Sequence, residues 1–396
     1  MAQDMTGKGA HVVVIGGGYA GTLAANRLRM RDDVYITLVN PRPQFVERIR
    51  LHQLVAGTHV ATADYRALLG DGIELVVDSA TRIDTANRTV ELAAHPALTY
   101  DYVIYAVGST GTVPENIPGA IEFAYPIAEF EQARRLRATI DDLHPDAPIT
   151  VVGAGLTGIE TAAELAEQGR RVTLVCGGQL GPYLSEPARR SVAKTMRRLG
   201  VVVLESDVVA EVRADAVVFA DGAVRPSAAT VWTAGFGVPG LAAASGLHTD
   251  EIGRLITDET LTSIDDTRIV AAGDCAAPSN QPLRMCCATA SQYAPQAADT
   301  VLSRIAGTTP ADFEYAYAGA CISLGRHRAA LQATRKDDTA VNVYVAGRPV
   351  AAFKEAVCKG TLWALRRSAR KPHSAFWLKG GPRPEQQVLD KVVTSP

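Results

Sequence analysis

The chain carries one glycine-rich fingerprint twice, and this repeat limits the possible folds more than any other feature of the sequence. Residues 12–23 read VVVIGGGYAGTL, and residues 149–160 read ITVVGAGLTGIE. In both copies an apolar run typical of a buried strand precedes Gly-x-Gly-x-x-Gly, and apolar residues at helical spacing follow it. Such a strand–turn–helix unit presents free N–H groups and the helix dipole to a pyrophosphate. One copy could be a glycine-rich turn without a ligand, but two copies predict two Rossmann-like dinucleotide-binding units.

The two copies also agree in register up to the end of the next strand. That strand ends at Asn40 in the first copy and at Cys176 in the second. A ribose-binding Asp or Glu is expected at these positions, and neither residue is an acid. An asparagine amide still hydrogen-bonds a ribose hydroxyl. Cys176 removes the usual reason to prefer NADH, and no arginine follows it to select NADPH, so the sequence leaves the nucleotide open.

The overall composition is that of a globular protein without a nucleic-acid or membrane-spanning function. The formal net charge is −2 over 396 residues, and no apolar run reaches the roughly 18 residues that span a bilayer. The first ten residues lack the apolar core of a signal peptide, so we expect a cytoplasmic protein. None of the six cysteines has the spacing of a zinc site or a Cys-x-x-Cys motif, so we expect no metal. The vicinal pair Cys286-Cys287 is the one unusual cysteine feature, and its role stays open.

Together with the stretch TRIVAAGDCA at residues 267–276, the paired fingerprints give the chain a family resemblance. It resembles the flavoproteins with two dinucleotide-binding domains, in particular the type II NADH:quinone oxidoreductases and the apoptosis-inducing-factor-like reductases. The resemblance implies an α/β fold in which an FAD domain, residues 9–113 and 244–310, contains an inserted NAD(P)H domain at 114–243. A smaller C-terminal region at 311–396 would follow.

The same resemblance implies which residues hold the two cofactors. Asp274 would accept a hydrogen bond from the ribityl chain of FAD, and Arg42 would lie beside its adenosine. The implied FAD-binding residues are Gly16, Gly18, Tyr19, Ala20, Gly21, Asn40, Arg42, Ala80, Gly108, Gly273 and Asp274. The implied NAD(P)H-binding residues are Gly153, Gly155, Gly158, Cys176 and Gly235.

Three residues are implied as catalytic by their match to family motifs. Glu160 would lie where flavin and nicotinamide meet, although it could equally be an ordinary glutamate near a positive helix end. Gln292 and Gln296 are four residues apart on a predicted helix and would face the electron acceptor. The alternative for the two glutamines is a polar stripe that faces solvent. A lysine that quinone-reducing relatives carry at the acceptor side is replaced here by Ala318.

Two further segments are rich in basic residues but match no known functional motif. The positions Arg48, Arg50 and His52 could reach the flavin, but a polar helix face explains them as well. Residues 354–379 contain seven Lys and Arg against one acid, together with two tryptophans. This pattern predicts a basic amphipathic helix stopped by Pro372, which would bind an anionic membrane surface or dock on the protein body or a partner subunit.

The predicted function is an FAD enzyme that takes hydride from NAD(P)H and passes electrons to a quinone-like small acceptor. The alternatives are a reductase of an iron–sulfur or other redox protein, and a slow redox-sensing or interaction protein that binds FAD and NADH. We expect no nucleic-acid partner, and a homodimer is compatible with the resemblance. The predicted location is the cytoplasm, with contact to the inner face of the membrane through the C-terminal helix.

Overall fold

The first glycine fingerprint begins a parallel sheet in the computed structural model, which describes residues 9–380. The two helices of this first segment are α1 (Tyr19–Leu28) and α2 (Leu51–Ala56). Its strands are β1 (Ala10–Ile15), β2 (Val34–Asn40), β3 (Gln44–Val46), β4 (Thr62–Asp64), β5 (Ile73–Val77), β6 (Ala80–Asp84), β7 (Thr89–Leu92), β8 (Leu98–Thr99), β9 (Tyr102–Tyr105) and β10 (Thr110–Gly111).

The second fingerprint begins an equivalent parallel sheet in the next segment. The helices here are α3 (Ala120–Phe123), α4 (Phe130–Asp142), α5 (Leu156–Glu167) and α6 (Glu186–Arg198). The strands are β11 (Ala124–Pro126), β12 (Pro148–Val152), β13 (Arg171–Val175), β14 (Val202–Leu204), β15 (Val209–Val212), β16 (Ala216–Phe219), β17 (Val224–Pro226), β18 (Ala229–Trp232) and β19 (Phe236–Gly237).

The chain then returns to the first sheet before it forms the C-terminal region. The remaining helices are α7 (Leu241–Ala244), α8 (Cys287–Ile305) and α9 (Arg348–Arg370). The remaining strands are β20 (Leu255–Thr257), β21 (Ile269–Ala271), β22 (Ala276–Pro278), β23 (Gly319–Ser323), β24 (Ala329–Thr334) and β25 (Ala340–Gly347). Short 3₁₀ turns lie at Arg48–Arg50, Tyr65–Ala67 and Pro372–Ser374.

The two five-stranded sheets have matching strand orders, β21-β9-β1-β2-β5 and β11-β18-β12-β13-β14, and every pairing within them is parallel. The fingerprint strands β1 and β12 are central in both, and their apolar runs are buried, as expected of strands covered on both faces. All strands of the second sheet fall between β9 and β21 of the first. The predicted α/β fold with two Rossmann-like units is therefore confirmed.

The C-terminal helix α9 begins earlier than the sequence pattern predicts and packs along α1. The buried side chain of Asn26, on α1, joins the last turn of α9 to the loop that precedes β5. The Asn26 amide donates hydrogen bonds to the carbonyl oxygen of Leu68 at 2.7 Å and to Ser368 Oγ at 2.9 Å, and it accepts one from the Gly70 N–H at 2.9 Å. Nearby, Arg29 Nη1 donates to the carbonyl oxygen of Ala369 at 2.6 Å.

No helix within residues 9–380 is both long enough and apolar enough to cross a bilayer.

We predict that Asn26→Ala lowers the free energy of unfolding by about 2–4 kcal/mol, because it leaves three buried hydrogen-bonding groups without their partner. Urea unfolding followed by circular dichroism measures this change. The control Asn342→Ala alters an exposed side chain on β25 and should shift stability by less than about 0.5 kcal/mol. Equal stability of the two variants would mean that Asn26 does not hold α9 against α1.

Candidate functional site

The first fingerprint turn has the shape that a pyrophosphate requires. Gly16 has φ +104°, in the left-handed region that favours glycine. A Cβ at Gly21 would collide with the carbonyl oxygen of Gly16, so α1 packs directly against the turn. A Cβ at Gly18 would instead meet no atom within 4 Å. The backbone at the N-terminus of α1 therefore faces open space, while the buried Tyr19 and Ala20 form its first turn.

Asn40 supports this turn instead of leaving its amide free. Its Oδ1 accepts a hydrogen bond from the Gly17 N–H at 3.0 Å, and its Nδ2 donates to the carbonyl oxygen of Arg42 at 2.7 Å. The Arg42 side chain pairs with Glu131 at 2.6 Å and with Glu129 at 3.3 Å. Both of these acids belong to the inserted segment, so Arg42 also ties the two units together.

Asp274 provides a free buried acceptor beside the same turn. Its Oδ2 accepts a hydrogen bond from Ser109 Oγ at 2.7 Å, whereas its Oδ1 is buried and has no hydrogen-bond partner within the described residues. A buried oxygen without a partner is costly unless a ligand satisfies it, and a ribityl hydroxyl can do so. Gly108 and Gly273, both with positive φ, flank this acceptor, and Ala80 lies at the start of β6. The open turn and the unsatisfied Asp274 oxygen fit FAD.

The second fingerprint repeats this geometry. Gly153 has φ +105°, and a Cβ at Gly158 would collide with the carbonyl oxygen of Gly153. Gly155 at the N-terminus of α5 faces open space, as Gly18 does in the first unit. Gly235 follows β18, where a Cβ would approach Thr112 Oγ1 to 2.7 Å. These residues fit a second dinucleotide.

Glu160 lies near the N-terminal end of α5, and its carboxylate is buried within a polar cluster. Glu160 Oε1 accepts a hydrogen bond from the Ser323 N–H at 2.9 Å and lies 3.0 Å from Lys354 Nζ. Its other oxygen, Oε2, lies 3.8 Å from Nδ1 of His52 on α2. The three side chains come from three distant parts of the sequence. Glu160 is therefore not an ordinary exposed residue of a first helical turn.

The charge states within this cluster follow from burial and from the Glu160–Lys354 pair. Burial disfavours the anion, but Lys354, His52 and the hydrogen bond from the Ser323 N–H together outweigh it and lower the pKa of Glu160. Burial likewise opposes the ammonium, but the Glu160 carboxylate raises the pKa of Lys354. Burial lowers the pKa of His52 to about 4, so its ring is neutral near pH 7. His52 Nε2 is buried without a hydrogen-bond partner in the described part of the chain.

A second layer of charged side chains surrounds the cluster. Arg50 pairs with Glu47 at 3.3 Å and with Glu355 at 2.9 Å. Arg326 pairs with Glu355 at 2.8 Å and with Glu164 at 3.1 Å, while burial raises the pKa of Glu164 to about 7. Helix α9 thus contributes both Lys354 and Glu355. The interpretation of 48–52 as a polar helix face is wrong, because Arg50 and His52 are buried.

The sequence did not single out Lys354, which was grouped with the other cations of the basic C-terminal helix. The family's lysine position is occupied by Ala318, yet a lysine still reaches Glu160, from α9. Lys354 Nζ also donates a hydrogen bond to the carbonyl oxygen of Cys321 at 3.1 Å. No local signal distinguishes Lys354 from the other basic residues of 354–379, because only the packing of α9 decides which of them is buried.

Gln292 and Gln296 lie on one side of α8, as predicted, but they face the protein interior. Gln292 Oε1 accepts a hydrogen bond from the Ala316 N–H at 3.2 Å, and Gln296 Nε2 donates to the carbonyl oxygen of Ala311 at 2.7 Å. Both side chains are buried, so the alternative of a solvent-facing stripe is wrong. The structure gives the two amides a role in holding the segment 311–316, and a role toward the acceptor stays a prediction.

Of the vicinal cysteines, Cys287 does not have the environment of a reactive thiolate. All six cysteines are free thiols. Cys286 precedes α8 and lies 3.2 Å from Thr289 Oγ1, and burial raises the pKa of Cys287 to about 12. A thiol that stays protonated is a poor nucleophile.

Known proteins are similar to this chain in sequence and in fold. The YutJ protein of Bacillus subtilis, named NADH dehydrogenase-like, is 29% identical over 279 residues, which are 68% of this chain and 78% of YutJ. The type II NADH:quinone oxidoreductase of Staphylococcus haemolyticus is 27% identical over 370 residues, 83% of this chain and 89% of that protein. The sulfide:quinone oxidoreductase structure from Aquifex aeolicus aligns with a TM-score of 0.76 at 21% identity, over 91% of this chain and 92% of that one. This last likeness shows the fold alone.

The sequence pattern of the pyridine nucleotide-disulphide oxidoreductases matches residues 10–299, which include both fingerprints and Asp274. The predicted resemblance and the expected cofactors are thereby confirmed. The protein belongs to the pyridine nucleotide-disulphide oxidoreductase family, and it is an oxidoreductase that uses FAD and a nicotinamide nucleotide.

Proposed function

We propose that this protein oxidises NADH and passes the electrons to a quinone-like small acceptor. The observation that carries the proposal is the buried cluster of Glu160, Lys354 and His52, which lies where α2, α5 and α9 meet. The name of the Staphylococcus haemolyticus relative, a type II NADH:quinone oxidoreductase, supports the same acceptor. Bound FAD supplies the hydride-accepting and electron-releasing chemistry.

The residues of this chain position the two nucleotides. The N–H groups beside Gly18 and Gly155 hold the two pyrophosphates, and Asp274 Oδ1 orients the ribityl chain. Because Gly18 and Gly155 carry no side chain, the backbone could approach the phosphates closely and would hold the reacting rings in a fixed orientation.

The cluster of Glu160, Lys354 and His52 can transfer the protons that reduction of a quinone requires. Two-electron reduction of a quinone to a quinol consumes two protons, so a proton carrier must lie within reach of the acceptor. His52 is neutral at pH 7, with Nδ1 facing Glu160 and Nε2 unpartnered among the described residues. His52 can therefore hold a proton at one nitrogen and release it at the other. Lys354 keeps Glu160 ionised, so that the carboxylate stabilises the positive charge of the protonated His52 ring.

The acceptor itself is tested by mixing the purified yellow protein with NADH in a stopped-flow instrument and following turnover with a panel of acceptors. We expect flavin bleaching by NADH and turnover with menadione or a short-chain ubiquinone at least about 10-fold faster than with oxygen or ferredoxin. Turnover that is negligible with every acceptor would favour a redox sensor, and turnover fastest with ferredoxin would favour a protein partner.

We predict that Glu160→Gln slows flavin reduction by NADH by about 10–100-fold while FAD stays bound, because the family resemblance places Glu160 where flavin and nicotinamide meet and the variant loses its charge there. Stopped-flow absorbance of the flavin measures the rate. Glu122→Gln, which alters an exposed glutamate of α3, should leave the rate unchanged. A wild-type rate in Glu160→Gln would remove Glu160 from the mechanism.

Lys354→Met should destabilise the protein by about 3–5 kcal/mol, because it leaves the Glu160 carboxylate buried and unpaired. In the same variant the pKa of Glu160 should rise, so the rate of flavin reduction should gain a pH dependence near neutrality. The double variant Glu160→Gln with Lys354→Met should regain most of the stability but not the rate. If the double variant is no more stable than Lys354→Met alone, the two side chains do not form a coupled pair.

The proposal includes contact with the inner face of the membrane through the outer side of α9. This surface is named here the apolar–basic face. Its apolar members are exposed side chains of α9 and of the preceding strand β25, namely Val343, Val345, Phe353, Val357 and Trp363. Its basic members are the exposed Arg366, Arg367 and Arg370. Exposed aromatic and aliphatic groups beside cations are what interfacial binding to anionic lipid requires.

Replacing Phe353, Val357 and Trp363 by serine should lower binding to phosphatidylglycerol-containing vesicles at least about 10-fold. Co-sedimentation measures this, with pure phosphatidylcholine vesicles as the uncharged comparison. Ile121→Ser is the matched control, because Ile121 is an equally exposed apolar residue outside the apolar–basic face. Unchanged vesicle binding by the triple variant would argue against membrane contact through α9.

A further inference from the structure

We propose that Glu205, assisted by Asp207, recognises the adenosine ribose of NADH and rejects the 2′-phosphate of NADPH. This assignment rests on the proposed function, in which the second unit binds the nicotinamide nucleotide. The ribose-binding acid would then lie at the end of β14, because Cys176 at the end of β13 has no carboxylate for this role.

The backbone places Glu205 beside the position where a ribose-binding acid is expected. β13 and β14 are parallel, with Val175 paired to Leu204 as their last residues. The Cys176 N–H donates a hydrogen bond to the carbonyl oxygen of Leu204 at 2.8 Å, and the Gly178 N–H donates to that of Glu205 at 2.6 Å. Neighbouring strands are about 4.8 Å apart and paired residues point to the same face. Continuing this register puts the Glu205 side chain next to that of Cys176.

The electrostatic surroundings of Cys176 agree with this placement. Burial first, and then the nearby carboxylates of Glu205 and Asp207, raise the pKa of the Cys176 thiol to about 12. Within the described residues, the charged groups that act on this thiol are both anions. The site where the 2′-oxygen of the nucleotide belongs is therefore negative, although residue 176 itself carries no charge.

Both carboxylates are available to a ligand. Glu205 is exposed and Asp207 is partly exposed. Across residues 9–380, neither side chain takes part in an ion pair or a side-chain hydrogen bond. A carboxylate accepts hydrogen bonds from the 2′- and 3′-hydroxyls of a ribose, whereas a 2′-phosphate placed against it is repelled.

The first unit provides an internal comparison. The residue that occupies the position of Glu205 there is Val77, which pairs with Asn40 across β2 and β5. Asn40 already uses its amide within the protein, to hold Gly17 and Arg42. An acid at the register position of Glu205 is thus found only in the second unit. Asp78, the next residue of the first unit, uses its carboxylate within the protein, where it accepts hydrogen bonds from the N–H groups of Ala94 and His95.

The test compares NADH with NADPH on the FAD-loaded protein by stopped-flow flavin reduction. We expect the wild type to prefer NADH by at least about 100-fold in the apparent second-order rate constant, because like charges in contact cost several kcal/mol. Glu205→Gln combined with Asp207→Asn should reduce this preference at least about 10-fold, through a tighter apparent Kd for NADPH and with the limiting rate unchanged. Asp142→Asn is the control, because that exposed acid lies at the end of α4, just before β12 begins.

A binding measurement that needs no turnover accompanies the kinetics. Isothermal titration calorimetry with ADP-ribose and with its 2′-phosphorylated form should show the same preference in the wild type and its loss in the double variant. Equal affinity of the wild type for the two ligands, or a preference that the double variant keeps, would overturn the assignment to Glu205. Failure of both NADH and NADPH to reduce the flavin would instead refute the proposed function, and the calorimetric preference would still report on Glu205.

Discussion

The buried ion pair between Glu160 and Lys354 is the interaction on which the arrangement of the site depends. It joins the helix that follows the second fingerprint to the C-terminal helix α9, and His52 adds the helix α2 of the first unit. An ion pair removed from water is tolerated only when both charges are compensated and further hydrogen bonded. The Ser323 N–H and the carbonyl oxygen of Cys321 meet that condition, because they bond the carboxylate and the ammonium respectively.

Much of the fold was predictable because its determinants are local. The turn at Gly16 and the turn at Gly153 each require a left-handed backbone and a close helix contact. In both turns the glycines that satisfy these requirements lie within six consecutive residues. Asp274 was named by the family resemblance, and it lies three residues after β21 with one buried oxygen that has no partner within residues 9–380. Its role toward FAD stays a prediction. The matching strand orders of the two sheets then follow from the repeated strand–helix pattern.

The remainder of the site was not predictable because it depends on contacts between distant segments. Lys354 reads as one cation of a basic helix, and only the docking of α9 on α1 and on the strands β23 and β24 turns it inward while Arg366 and Arg367 stay exposed. Gln292 and Gln296 have the spacing of a functional pair, yet the segment 311–316 covers them and uses their amides. Helical spacing shows which residues share a face, but it does not show what that face meets.

The two sides of α9 connect the interior of the protein to its surface. Lys354 and Glu355 extend inward to Glu160, Arg50 and Arg326, while the apolar–basic face points away from the body. The sequence left docking on the body and contact with lipid as alternatives. The structure shows the docking, and the exposed outer side of the helix leaves the proposed lipid contact compatible with it. A hydrophobic acceptor concentrates in the bilayer, so an enzyme held at the lipid surface meets it at high local concentration. Because the inner side of the same helix completes the charged cluster, the proposed membrane contact and the electrostatics of the site would both depend on α9.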